Sequence, residues 1–309
     1  MRVSETSMAL SPWQKKQAAL LYHFASLDYL KIVKKLVDAL LHASLGARHA
    51  ANGTRLKGRR NAHRDTGNIP RVQGVNGSTI LAHFELRLAE DVADRARDAF
   101  NVTGRYDCSR MIAEFATEWT SPAGSADFHR IFSETVGRAS NIDATMSRDL
   151  PNGLWTDFDL AIAWRENFRQ IPNFPNLQVR EDIFAESGSV PTRTGVYVRA
   201  ADPNASLQFA WTGRGDGKLL QCSTFNELGE AALAAVGREG LWFDEQAMLD
   251  FVVANQDSPE LRSDSFFADS QTAALAPSLV ARQAFTAKPC KWYYVEKIDG
   301  EFEAANIGV

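Results

Sequence analysis

Residues Val190–Asp250 read VPTRTGVYVRAADPNASLQFAWTGRGDGKLLQCSTFNELGEAALAAVGREGLWFDEQAMLD, and strand and helix signals alternate along them. Gly195 to Ala200 carries the β-branched and aromatic residues of a strand, and ADPNA breaks it with turn formers. Ser206 to Thr212 predicts a second strand with Leu207, Phe209 and Trp211 on one face. GRGDG is a sharp turn, after which Lys218 to Cys222 is expected to return as a third strand. Thr224-x-x-Glu227 has the spacing of a capping box and predicts an Ala/Leu-rich helix ending near Gly237. Asp244 opens another helix, carrying Met248, Phe251 and Val252. A sheet with helices on one side is what this stretch encodes.

Working outward, the chain before it is helical. Ser11-Pro12 with Gln14 marks a helix start: serine caps, and proline suits the first helical position. Leu20, Phe24, Leu27, Leu30, Val33, Val37, Leu40 and Leu41 then form one apolar stripe, which predicts a single long helix ending at Gly46. Residues 48–71 hold seven Arg or Lys against one acid and few apolar side chains, so they are expected to be a basic loop. Helices follow over Ser78–Phe100, Asp107–Thr120, Ser125–Val136 and Trp155–Phe168. Two prolines in Ile171–Pro175 predict the joint between domains, and Glu181–Pro191 a polar connection. At the end of the chain, Lys291–Ile298 is a strand and Asp299-Gly300 a hairpin turn, with Glu301–Ala304 returning. The fold class is therefore α+β: a helical bundle over 1–172, then a small, mostly antiparallel sheet with packed helices over 173–309. The alternative is one continuous domain with the first helix packed on that sheet.

Composition narrows function. Apolar residues make up 45% of the chain, enough for a sizeable core, and the formal net charge of −4 is not that of a dedicated nucleic-acid binder. Cys108, Cys222 and Cys290 are odd in number and lack CxxC spacing, which argues against a disulfide framework or a zinc site and for reduced thiols. No secretion-signal pattern or long apolar run is evident, so a cytoplasmic location and no membrane contact are expected.

Catalytic patterns are weak. GRGDG is separated from the next helix by an expected strand, and Asp216 would repel a phosphate. There is no GxSxG, no HExxH, and no histidine after His129 to serve Ser189, Cys222 or Cys290. Paired acids remain: Asp157 with Asp159, and Asp244 with Glu245. The plainer reading is that the first pair is solvated and the second complements a helix dipole. No catalytic residue, metal or cofactor is expected from these patterns. The reading is an interaction protein and not an enzyme. The alternatives are a carboxylate enzyme using Asp157 and Asp159, or a nucleic-acid module acting through 48–71.

VPTRTGVYVRAADPNASLQFAWTG, STFNELGEAALAAVGREGLWFDEQAMLDFV and KPCKWYYVEKIDGEFE resemble bacterial immunity proteins encoded beside toxins of polymorphic-toxin and type VI secretion systems, in immunity families 71 and 72. The resemblance covers roughly a quarter of the chain and carries no catalytic residues with it. It implies that the chain binds a cognate toxin encoded by a neighbouring gene and blocks it stoichiometrically. Trp211, Trp242, Asp244, Glu245, Trp292, Tyr293 and Tyr294 are the candidate contacts. Strand alternation puts Trp292 and Tyr294 on one face and Tyr293 on the other.

Overall fold

The computed structural model describes residues 8–58, 77–115, 122–149, 154–171, 173–199, 202–213, 215–265 and 272–304. It shows an α+β fold whose strands all pair antiparallel. The chain divides into two compact units: Phe24–Ser147, and Met1–His23 together with Arg148–Val309. This division differs from the expected boundary at 172/173, because the first helix turns and the helix before Ile171 both group with the strands.

The expected single first helix is two. Helix α1 spans Pro12–Ala25 and α2 spans Leu27–Gly58. Ser26 breaks them: its hydroxyl accepts from the Tyr29 amide at 3.1 Å and so caps α2. Arg95 Nη1 donates to the Ala25 carbonyl at 2.6 Å and closes the end of α1. At its far end α2 runs through Gly46 to Gly58, so Arg48, Arg55 and Lys57 are helical and not part of a loop. Glycine costs a helix interior about 1 kcal/mol but does not stop one already nucleated. The rest of the expected basic loop, 59–71, lies outside the described residues.

In the unit Phe24–Ser147, α2 packs against α3 (Gly77–Arg95) and α5 (Pro122–Met146), and α4 (Arg105–Phe115) packs against α3. The predicted stripe faces inward: Leu30, Val33, Val37 and Leu40 are buried, as are Leu81, Phe84 and Leu88 of α3. Each such side chain contributes about 1.5–3 kcal/mol on leaving water. Asn141 donates to the Tyr29 hydroxyl at 3.1 Å, and Lys34 bridges to Glu85 at 2.8 Å.

The other unit holds α1 up to His23, helix α6 (Asp157–Asn167) and the strands. Strands β1 (Asn173–Glu186), β2 (Gly195–Arg199), β3 (Gln208–Ala210) and β6 (Lys291–Ala304) form one sheet in the order β1-β6-β2-β3. The expected linker Ile171–Pro175 and the polar connection after it are thus largely strand β1. Pro175 is tolerated because β1 is an edge strand, where a missing N–H costs no ladder bond. The expected hairpin at Asp299-Gly300 is also absent. Strand β6 continues through it, with Asn173–Pro175 pairing to 302–304, and Gly300 at φ +79° absorbs the register shift. The last strand of the chain is therefore inserted at the sheet's interior.

β4 (Cys222–Phe225) pairs with β5 (Phe285–Lys288) in a second, two-stranded sheet and not with β3. Thr224 lies in β4, so the expected capping box does not form. Asn226 caps α7 (Glu227–Val236) by accepting from the Gly229 amide at 3.0 Å. Gly237 ends α7 at φ +79°, and Asp244 caps α8 (Glu245–Ala254), as the sequence implies. With α9 (Pro259–Arg262) and α10 (Ala276–Gln283) these helices bury Phe225, Leu228, Trp242, Met248, Phe251 and Leu279 in one core.

Candidate functional site

Three helix termini in the strand-containing unit meet at one carboxylate. Thr156 accepts from the Asp159 amide at 3.1 Å, and Asp159 accepts from the Thr156 amide at 3.2 Å. This reciprocal cap places Asp157 at the first position of α6. Ser11 and Gln14 make the same kind of reciprocal cap on α1, which sets Trp13 in its first turn. The turn from Gly237 to Asp244, between α7 and α8, supplies Arg238 and Trp242.

Asp157 is only 1% exposed. Its Oδ2 accepts from Trp13 Nε1 at 2.7 Å and from Arg238 Nη1 at 2.8 Å. Its Oδ1 accepts from Arg238 Nη1 at 2.8 Å and from Trp242 Nε1 at 2.8 Å. A carboxylate has about four lone-pair positions, so this one is saturated. The expectation that Asp157 is solvated is therefore corrected: its charge is buried and balanced by Arg238 and the helix N-terminus. Asp159 does not join it, being engaged in the helix cap. The two acids thus do not converge as a catalytic pair.

Trp242 has φ +76°, a region that bulky side chains rarely adopt. Its indole bond to Asp157 and its packing on Phe158 at 5.4 Å and Phe285 at 5.8 Å hold it there. Strain of this kind costs about 1–3 kcal/mol and persists only where the surroundings over-determine it. Arg238 is fixed as well, donating to Asn204 Oδ1 at 2.8 Å.

Beside this anchor lies a half-open pocket of about 190 Å³. Helical spacing builds two of its walls: Trp13 and Lys16 at i, i+3 on α1, and Asp157, Ala161 and Trp164 at i, i+4, i+7 on α6. Phe243 and Glu239 complete it from the turn. The Lys16 ammonium sits 5.6 Å from the centre of the Trp164 ring. Burial pulls the Lys16 pKa below its usual value, and Glu239 opposes that shift.

Of the sequence-predicted contacts, Trp242 alone lines this pocket. Trp211 is buried, with the Arg148 guanidinium 4.4 Å from its ring centre. Trp292 is buried too, donating to the Leu220 carbonyl at 3.0 Å. Both are core residues and not surface contacts. Tyr294 packs on the Trp292 cluster, whereas Tyr293 meets Phe184 at 6.3 Å, so the alternation of faces holds. Asp244 is occupied as a helix cap, and Glu245 is exposed in the first turn of α8. Trp13, Lys16, Trp164 and Arg238 are the site residues that sequence reading misses.

Among the described residues no three His, Cys, Asp or Glu are grouped to hold a metal, and no helix is long and apolar enough to cross a membrane. No family model, curated protein or solved structure matches the chain.

Proposed function

We propose that this chain is a cytoplasmic immunity protein that neutralises a cognate secreted toxin by stoichiometric binding, with the pocket beside Asp157 as the socket for an anchor side chain of the toxin. The observation that carries this reading is the rigid build of the socket. A saturated carboxylate pins Trp13, Trp242 and Arg238, so little ordering entropy remains to be lost on binding. A volume of about 190 Å³ is below the roughly 300–1,000 Å³ of small-molecule sites and suits one large side chain. Trp13, Trp164 and Trp242 beside Arg238 match the tryptophan and arginine composition of interface hot spots. The family resemblance of the strands and of α7–α8 supplies the partner class.

The test is co-purification of the chain with the toxin encoded by the neighbouring gene, comparing wild type with Lys16→Glu. The variant should weaken the complex by about 2 kcal/mol or more while leaving the melting temperature nearly unchanged. A complex that forms equally well with Lys16→Glu places the interface elsewhere, and no complex with wild type removes the reading.

A further inference from the structure

The dithiol of the strand-containing unit is independent of the pocket. Cys222 opens β4 and is fully buried in a cluster with Tyr197, Leu219 and Trp292. Its register partner on β5 is Lys288, so Cys290 lies just past the end of the adjoining strand. Cys290 packs against that same cluster. Arg199 Nη1 donates to Cys222 Sγ at 3.2 Å, and the Ser187 hydroxyl lies 3.8 Å from Cys290 Sγ. Cys290 is partly buried.

We propose that Cys222 and Cys290 form a redox-sensitive dithiol, with Cys222 the attacking sulfur and Cys290 the resolving one, which hydrogen peroxide closes into a reversible disulfide. Two groups favour this division of labour. The neighbouring Cys290 thiol and then the Arg199 guanidinium hold the Cys222 thiol below its ordinary pKa, while Cys222 and burial raise that of Cys290. With Arg199 Nη1 at 3.2 Å from its sulfur, Cys222 is the thiol whose thiolate is favoured, and Cys290 is the one that keeps its proton. Cys108, in the other unit, has no such partner among the described residues, and burial pushes its thiol up to about 12. Peroxide is close to water in size, and Cys290 is the more accessible of the two sulfurs.

In the first step the Cys222 thiolate attacks one peroxide oxygen. The O–O bond breaks, and the leaving hydroxide takes up the proton released by Cys222 to become water. Cys222 is then a sulfenic acid, oxidised by two electrons, and the peroxide is reduced. In the second step Cys290 attacks the Cys222 sulfur, the S–O bond breaks, and the hydroxyl leaves with the Cys290 proton as a second water. Two thiols and one peroxide give one disulfide and two waters. The bond ties the small sheet to the strand that enters the centre of the large one.

The experiment treats the reduced full-length chain with hydrogen peroxide, blocks remaining thiols by alkylation and reads intact mass and peptide map. The expected result is loss of two hydrogen atoms, a linked pair of peptides bearing Cys222 and Cys290, reversal by dithiothreitol, and an alkylated Cys108. Cys290→Ser should instead accumulate a Cys222 sulfenic acid that a dione probe traps. Arg199→Gln should slow oxidation on the order of tenfold, with Arg199→Lys restoring most of the rate. Should Arg199→Gln fail to fold, the Cys290→Ser trap decides. Oxidation of Cys108 as fast as Cys222, or separate oxidised cysteines with no linked peptide, overturns the proposal.

Discussion

Replacing Asp157 with asparagine changes one atom and tests the anchor directly. The wild-type carboxylate accepts four bonds, from Trp13, from Arg238 to both oxygens, and from Trp242. Asparagine keeps one oxygen, so Arg238 and one indole keep a partner while the other indole and the second Arg238 contact face an N–H. Each lost bond to a charged acceptor is worth about 1.5–3 kcal/mol, and breaking a buried ion pair costs about 3–5 kcal/mol. The Arg238 side chain is one-third exposed, so water reaches its freed charge and the lower half of that range applies. We therefore expect Asp157→Asn to cost about 3–4 kcal/mol, which lowers Tm by roughly 6–16 °C for a unit of this size. Trp13→Phe removes one donor and should cost about half as much. Urea denaturation followed by far-ultraviolet circular dichroism gives the energies, and the difference in emission from the same pair carrying Trp242→Phe isolates Trp242 among the seven tryptophans. With its anchor gone, the positive φ of Trp242 relaxes and the indole environment changes. A cost under about 1 kcal/mol with unchanged emission would refute the argument that this carboxylate holds the site together.

Two further predictions concern other parts of the molecule. Burial raises the Asp91 pKa to about 6, against the pull of Arg87, Asn101 and Arg95, so its ionised form costs stability above that pH. Because the folded value lies above the unfolded one, the cost is relieved as pH falls from about 6 towards 4, and Asp91→Asn should stabilise the helical unit by up to about 3 kcal/mol at pH 7.5 and by almost nothing at pH 4. Melts of both proteins across that range check it, and a pH-independent difference counts against it. Gly229→Ala places a Cβ 2.4 Å from the Ala284 carbonyl oxygen, a backbone atom that cannot swing away. The contact should outweigh the roughly 1 kcal/mol that alanine gains in a helix and leave a net loss of about 1–3 kcal/mol in urea denaturation, whereas a stabilised variant would show that α7 can shift.

Local signals were legible and long-range ones were not. The capping box of Ser11 and Gln14, the end of α7 at Gly237 and the cap of α8 at Asp244 are decided within four or five residues, and the structure shows all three. The apolar stripe of α2 and α3 is periodic and faces inward as expected. Ser26 escaped notice as a break because Leu27 and Leu30 carry the apolar stripe across it, and the group that closes the end of α1, Arg95, lies seventy residues from Ala25. Pro175 read as a breaker because nothing local says that it will lie on a sheet edge. Asp299-Gly300 read as a hairpin because the partner that keeps β6 running, Asn173–Pro175, is distant in the chain. The site failed for the same reason: Trp13 lies 144 positions from Asp157 and Trp242 lies 85, so no spacing rule connects them. What the sequence did contain was Thr156-x-x-Asp159, which marks a helix start and so places Asp157 where a buried carboxylate is best tolerated.

The most direct measurement is a titration of the neighbouring gene's toxin with this chain, read as residual toxin activity. Stoichiometric neutralisation predicts a linear fall to zero at a fixed molar ratio, with Lys16→Glu turning the sharp end point into a shallow curve. Toxin activity that persists at a large excess of the chain, or that is destroyed by a small fraction of an equivalent, contradicts it.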